Sequence, residues 1–149
     1  VKTRHVAQNQ QLLRVDFEQT HALDTGLEDK LIARAKDIIP QMGAVILSDY
    51  GKGCLTPRVI VAVIELAKAQ NIPVLVDPKG NDYSIYRGAS VVTPNRKELA
   101  LATNNHATKE DADIVAACEK LITQSGIAAV IATRSEDGMS VVEQGKKPT

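Results

Sequence analysis

Four short apolar runs, each ended by a polar loop and separated from the next by a helical or polar stretch, constrain this chain more than any other feature. They fall at residues 44–47, 73–76, 90–92 and 127–132. Continuous apolarity without alternation is the pattern of a strand buried on both faces, as in a parallel sheet. The intervening segments carry helix signals. Asp24-Thr25-Gly26 can cap a helix through Leu27, Leu31, Ile32, Ala35, Ile38 and Ile39, with Pro40 near its end. Thr56-Pro57 supplies an N-cap and a proline at the first helical position for a helix over 59–70. Asn95 starts a helix running through Ala102, and Thr108 caps a longer one over 109–124. Strands alternating with helices predict an α/β fold with a doubly wound parallel sheet, which presents ligands at the carboxyl ends of its strands.

Two segments stand outside that alternation. Residues 2–17 read as two short strands of partly alternating polarity, separated by Gln8-Asn9-Gln10-Gln11. Their charges, Arg4, Arg14 and Asp16, fit either an ordinary solvated edge hairpin or a ribbon covering something polar. Residues 139–143 follow a Glu136-Asp137-Gly138 turn and should pair as a hairpin with the fourth run. The expected organisation is a small β lid over residues 1–20 and an α/β core over 21–149, part of a larger domain.

Charge and cysteine content exclude several classes. Eighteen Lys and Arg balance eighteen Asp and Glu, leaving no electrostatic footprint for nucleic acid or anionic membrane, so a small-molecule partner is expected. Cys54 and Cys118 match no metal-ligand or redox spacing and read as reduced thiols. His5, His21 and His106 show no ligand or relay spacing and read as surface residues. No signal-peptide core opens the chain, and no apolar run approaches the roughly eighteen residues of a membrane span, so a cytoplasmic location is expected. A start at Val1 and an end at Lys147-Pro148-Thr149 look cut rather than finished.

Polar loops leave each of the four runs on what should be one edge of the sheet. Asn95-Arg96-Lys97-Glu98 has the spacing of a capping box, and the same geometry can set an amide and a carboxylate beside a phosphate, with Glu98 holding Mg²⁺ through water. Thr133-Arg134-Ser135 and Gly138 form either a hairpin turn or a set of hydroxyls and a guanidinium suited to phosphate oxygens. Asp49 and Lys52 flank Gly51, either as a surface ion pair or as a carboxylate for sugar hydroxyls and an ammonium for phosphate. No Walker-type loop, nucleophile elbow or dinucleotide fingerprint occurs.

Taken together and in order, these blocks resemble a known family. The ribbon with Gln8-Asn9-Gln10-Gln11 and Arg14-Val15-Asp16, then Leu47-Ser48-Asp49-Tyr50-Gly51-Lys52-Gly53, Val76-Asp77-Pro78-Lys79-Gly80, Tyr86-Arg87-Gly88-Ala89, Thr93-Pro94-Asn95-x-x-Glu98 and Thr133-Arg134-Ser135-x-x-Gly138-Met139 are similar to blocks of the bacterial heptose 7-phosphate kinases, within the ribokinase-like sugar kinases. The resemblance implies transfer of the γ-phosphoryl of ATP to the anomeric hydroxyl of D-glycero-D-manno-heptose 7-phosphate, with Mg²⁺ required. It implies that Asn95, Arg96, Lys97 and Glu98 face ATP and its metal, and that Thr133, Arg134, Ser135 and Gly138 cradle the nucleotide phosphates. Asp49 and Lys52, with Arg4 or Arg14 from the ribbon, would hold the sugar phosphate. It also implies a homodimer through the lid ribbons and, in many bacteria, fusion to an adenylyltransferase.

One departure tempers the match. The family's catalytic aspartate lies in a Gly-Ala-Gly-Asp motif expected downstream of the last block, and that motif does not occur here. No catalytic residue is therefore assigned, and the isolated chain is expected to be inactive. Two other readings stay open at this point: another ribokinase-like kinase acting on fructose, tagatose or a nucleoside, and a non-catalytic interaction or regulatory fragment.

Overall fold

A computed structural model describes all residues except Asn9, Gln19, Ala107 and Lys109. The ribbon forms as expected: β1 (Lys2–Ala7) pairs antiparallel with β2 (Gln10–Asp16), with an irregularity between His5 and Val6. Part of the glutamine-rich patch, Asn9, lies outside the described residues. Partners across an antiparallel pair share a face. Lys2↔Asp16 and Arg4↔Arg14 thus put four charges on one face, while Thr3↔Val15 and His5↔Leu13 occupy the other.

The core is a five-stranded mixed sheet in the order β3 (Val45–Ser48), β4 (Val74–Asp77), β5 (Val91–Val92), β6 (Ala129–Thr133), β7 (Met139–Glu143). The first four are parallel, and β7 runs antiparallel to β6 through the anticipated hairpin. The register aligns Leu47, Val76, Val92, Val130 and Val142 in one cross-sheet row, all buried. Each such side chain contributes about 1.5–3 kcal/mol of transfer free energy. The neighbouring row is less covered: Leu75 and Val91 are half-buried and Ile46, on the edge strand, is 72% exposed.

The helices follow from their caps. Asp24 accepts from the Leu27 N–H at 2.9 Å and opens α1 (Thr25–Ile38), after which Pro40 sits in a 3-10 turn at Ile39–Gln41. Thr56 accepts from the Val59 N–H and opens α2 (Pro57–Ala69), whose Val59, Ile60, Val63, Ile64 and Ala67 fill the core. The two helices are tied together where the Thr56 hydroxyl donates to the buried Glu28 carboxylate, which also receives Arg58 at 3.1 Å. The Thr56 hydroxyl, then Arg58, holds Glu28 below the usual carboxylate range.

Asn95 caps α3 (Arg96–Ala102) as read. The start of the next helix differs: Glu110, not Thr108, is the N-cap of α4 (Asp111–Ser125). The Glu110 N–H donates to Asp113 at 3.2 Å, whereas the Thr108 hydroxyl is turned toward the Arg96 carbonyl. The expected first residue, Lys109, is outside the described residues. A further 3-10 turn at Tyr83–Tyr86 has no counterpart in the sequence reading.

Candidate active site

Because β3 to β6 are parallel, their four C-terminal loops emerge on one edge, and hydrogen bonds stitch them together. The Asp49 N–H donates to the Asp77 carbonyl at 2.9 Å, and the Thr93 N–H to the Val76 carbonyl at 2.9 Å. Asn95 and Thr133 form a parallel bridge. The edge carries two clefts, one at the β3 side and one at the β5–β6 side.

The first cleft, about 430 Å³, is walled by Asp49, Tyr50 and Lys52 from the loop after β3 and by Lys2 and Glu18 from the ribbon side. Asp49 is fixed at both oxygens: Oδ1 accepts from the Gly51 N–H at 2.8 Å and Oδ2 from the Tyr86 hydroxyl at 2.9 Å. A carboxylate has about four lone-pair sites, so capacity remains for a ligand hydroxyl. Lys52 reaches Glu18 at 2.5 Å, and that hydrogen bond holds Glu18 below the usual carboxylate range. The ribbon joins the core directly behind this loop. The Leu23 N–H donates to the Gly53 carbonyl at 3.0 Å, and Gly53 sits at φ +86° with its Cβ position only 2.0 Å from the His21 carbonyl oxygen. Only glycine permits that approach.

Arg4 and Arg14 do not wall this cleft. They lie farther along the charged ribbon face that Lys2 begins, and Arg14 is held by Asp16 through Nε at 3.1 Å and Nη2 at 2.7 Å. Same-face neighbours two residues apart on a strand favour such a pair. The cation that does reach the cleft from the ribbon, Lys2, was not singled out in the sequence.

Asn95, Arg96, Lys97, Thr133 and Ser135 line the second cleft, about 340 Å³. The capping box is fully formed here. Asn95 Oδ1 accepts from the Lys97 and Glu98 N–H groups at 2.9 and 3.0 Å, and Glu98 Oε2 accepts from the Asn95 N–H at 3.0 Å. These amides are thus already satisfied, and what the cleft offers an anion is the side chains of Arg96, Lys97, Thr133 and Ser135. Arg96 is held at 2.5 Å by Asp137, and Arg134 turns away to Asp111 on α4 while also donating to the Asp137 carbonyl at 3.0 Å. Gly138 closes the turn, its carbonyl accepting from the Arg134 N–H at 2.8 Å.

Lys79 lies between the two clefts' loops and lines neither. Its ammonium meets Glu98 Oε1 at 3.2 Å, and its backbone N–H donates to the same Tyr86 hydroxyl that holds Asp49. Neither Lys79 nor Tyr86 was picked as a site residue from the sequence, although both lie in blocks that carried the resemblance. Glu98 is a largely buried carboxylate whose one outward partner is a cation. A hydrated Mg²⁺, which takes one or two carboxylates plus phosphate oxygens, would share Glu98 Oε1 with the Lys79 ammonium. Among the described residues no group of three or more His, Cys, Asp or Glu is arranged for direct ligation.

The pfkB family carbohydrate kinase profile matches residues 1–148, nearly the whole chain. The chain belongs to the pfkB family of carbohydrate kinases. Among curated members it is 49% identical over 142 residues to the bifunctional protein HldE of Rhodospirillum rubrum, covering 95% of this chain and 28% of that protein. The corresponding protein of Paramagnetospirillum magneticum is 47% identical, with 95% and 29% covered. The chain thus spans less than a third of the length of these relatives. Solved pfkB-like folds agree. Arabidopsis thaliana ribokinase complexed with ribose and ATP superposes with a TM-score of 0.66 at 21% identity, covering 87% of this chain and 38% of that one. Escherichia coli phosphofructokinase-2 with potassium gives 0.71 at 20% identity, covering 93% and 44%.

Proposed function

We propose that this chain is the central part of a kinase domain that, in the full-length protein, transfers the γ-phosphoryl of ATP to the anomeric hydroxyl of D-glycero-D-manno-heptose 7-phosphate, giving the 1,7-bisphosphate. The observation that carries the choice of sugar is the 49% identity to a bifunctional HldE protein over nearly the whole chain. The ordered motif blocks support it. In this reading the cleft at Asp49 takes the sugar phosphate, with Lys52 and Lys2 as its cations. Glu18 competes for Lys52, so a phosphate dianion would displace one carboxylate to bind. Arg4 and Arg14 extend the same charged ribbon face.

The cleft at Asn95, Arg96, Lys97, Thr133 and Ser135 takes the nucleotide phosphates, with Arg134 and Gly138 shaping its turn. Bound Mg²⁺ neutralises charge on the phosphate oxygens. Glu98 would hold its hydration shell, and Lys79 keeps the Glu98 carboxylate oriented between the two clefts. Phosphoryl transfer depends on positioning and charge stabilisation more than on covalent participation, which suits two clefts on one rigid sheet edge. No residue of this chain is assigned as the base that deprotonates the sugar hydroxyl, so turnover belongs to the full-length protein.

Three wider assignments belong to the same reading. The apolar ribbon residues Val6, Leu12, Leu13 and Phe17 are 55–70% exposed, which favours a homodimer through the lid of residues 1–20. The relatives' bifunctional label favours an adenylyltransferase elsewhere in the full-length protein. No described helix is long and apolar enough to cross a membrane, and we place the enzyme in the cytoplasm, where both its substrates would be found.

The test is ³¹P NMR of the full-length protein incubated with ATP, Mg²⁺ and heptose 7-phosphate, in parallel with fructose 6-phosphate and a nucleoside. An anomeric phosphate signal with the heptose and none with the others is expected. Preferential use of fructose 6-phosphate or the nucleoside would move the assignment to another pfkB kinase, and no transfer at all would favour a non-catalytic role.

A further inference from the structure

The 3-10 turn at Tyr83–Tyr86 belongs to neither cleft, yet one of its hydroxyls ties Asp49 of the first cleft to the loop after β4. It is held by Asp82, whose carboxylate accepts from the Ser84 N–H at 3.0 Å and the Ser84 hydroxyl at 2.6 Å. Tyr86 is completely buried and packs edge-to-face on Tyr83, with ring centroids 5.5 Å apart. Its hydroxyl is the one polar end of an otherwise apolar anchor. It donates to Asp49 Oδ2 and accepts from the Lys79 N–H at 3.2 Å. One phenol therefore fixes a side chain in the loop after β3 and the backbone of the residue that reaches Glu98.

We propose that Tyr86 is a positioning residue that orients Asp49 toward the acceptor sugar and sets its spacing from the Lys79–Glu98 pair. The inference rests on the assignment of Asp49 to the acceptor, made above. Three features support it. Asp49 is half-exposed, and without Tyr86 its Oδ2 would take water as its partner, leaving the Gly51 N–H on Oδ1 to orient the carboxylate. A phenol in this surround stays protonated, because burial pushes its ionisation well above that of free tyrosine, so it remains a donor at any working pH. The neighbouring Tyr83 hydroxyl is buried with no hydrogen-bond partner among the described residues, so ring packing alone does not require a hydroxyl in this turn.

The experiment uses the full-length kinase with Tyr86→Phe, Asp49→Asn and, as a control of equal size, Tyr83→Phe. Loss of one hydrogen bond to a charged group at a half-exposed site should raise the KM for the acceptor sugar about tenfold. The KM for ATP should stay within about twofold, since the nucleotide cleft contacts neither ring. Tyr83→Phe should change neither. In the Asp49→Asn background, Tyr86→Phe should add no further loss. An equal rise in both KM values, or the same change in Tyr83→Phe, would reduce Tyr86 to a packing residue and overturn the proposal. A raised acceptor KM in Asp49→Asn with none in Tyr86→Phe would defeat this inference alone, whereas an unchanged Asp49→Asn would defeat the site assignment and the inference with it. If Tyr86→Phe does not fold, fluorotyrosine placed at position 86 gives a ¹⁹F resonance that saturating acceptor sugar should shift. An unmoved resonance overturns the proposal.

Discussion

Substituting Gly53 by alanine probes the junction between ribbon and core, and Gly80 supplies its control. Both residues have a positive φ, +86° and +84°, so both alanines meet left-handed strain of about 1–2 kcal/mol. Both also gain about 0.4–1 kcal/mol from a stiffer unfolded chain. The difference lies in the surroundings. At Gly80 no atom lies within 4 Å of a new Cβ, whereas at Gly53 the His21 carbonyl oxygen would be 2.0 Å away and the Ala22 nitrogen 2.8 Å. Backbone cannot swing aside as a side chain can. Relieving the overlap costs about 1–3 kcal/mol, and separating the segments loses the Leu23 to Gly53 hydrogen bond, about 1 kcal/mol more. The expected totals are about 3–5 kcal/mol for Gly53→Ala and about 1 kcal/mol for Gly80→Ala. Hydrogen-exchange mass spectrometry of the full-length protein in a urea series reads these costs on peptides of the core. Because the ribbon side walls the Asp49 cleft, Gly53→Ala should also weaken acceptor binding. Equal destabilisation by the two alanines would refute the close approach of the ribbon junction and the cleft built upon it.

Further predictions address the helix tie, the thiols and Lys79. Thr56→Ala removes the α2 cap and should cost about 1 kcal/mol, read as a lower urea midpoint. The depressed Glu28 carboxyl stabilises the fold above its ordinary unfolded-state range, and this contribution is lost as pH falls through its lower folded-state value. Glu28→Gln should therefore flatten the stability profile below about pH 4.5; an unchanged acid limb would count against the Thr56–Glu28–Arg58 tie. Cys54 is exposed on the first cleft and Cys118 is buried, its thiol pushed up to about 12 by burial, so of these two thiols iodoacetamide should label Cys54, and sugar phosphate should slow that labelling. Labelling unaffected by the sugar would place the acceptor elsewhere. Lys79→Met should lower kcat with little change in either KM, because Glu98, which it orients, is proposed to hold the metal at the transferring phosphate; an unchanged kcat would remove Lys79 from the site.

Local rules reached most of the fold because the strands advertise themselves as uninterrupted apolar runs and the caps at Asp24, Thr56 and Asn95 use the side chains such caps require. At the start of α4 the expected cap, Thr108, instead faces the Arg96 carbonyl twelve residues away, and Glu110 opens the helix. The Tyr83–Tyr86 turn is too short for any periodicity, and the reach of Tyr86 to Asp49 spans 37 residues of sequence. Only Asp82 with Ser84, a common turn-capping pair, signalled that a turn begins there. Opposite charges at Arg14 and Asp16, two apart on a strand, could have shown that Arg14 was already engaged. Asn95 and Glu98 illustrate a different limit. Their spacing served both readings, and the structure shows the capping box made, with the Lys79 contact on the remaining Glu98 oxygen.

The proposed arrangement places acceptor and nucleotide in two clefts on one sheet edge, with Lys79 and Glu98 between them. A crystal structure of the full-length protein with heptose 7-phosphate and a non-hydrolysable ATP analogue tests it most directly. A sugar hydroxyl within hydrogen-bond distance of Asp49, about 2.5–3.0 Å, and the triphosphate along Lys97, Thr133 and Ser135 are expected. A sugar bound away from Asp49, or a triphosphate outside the Asn95–Ser135 cleft, would contradict it.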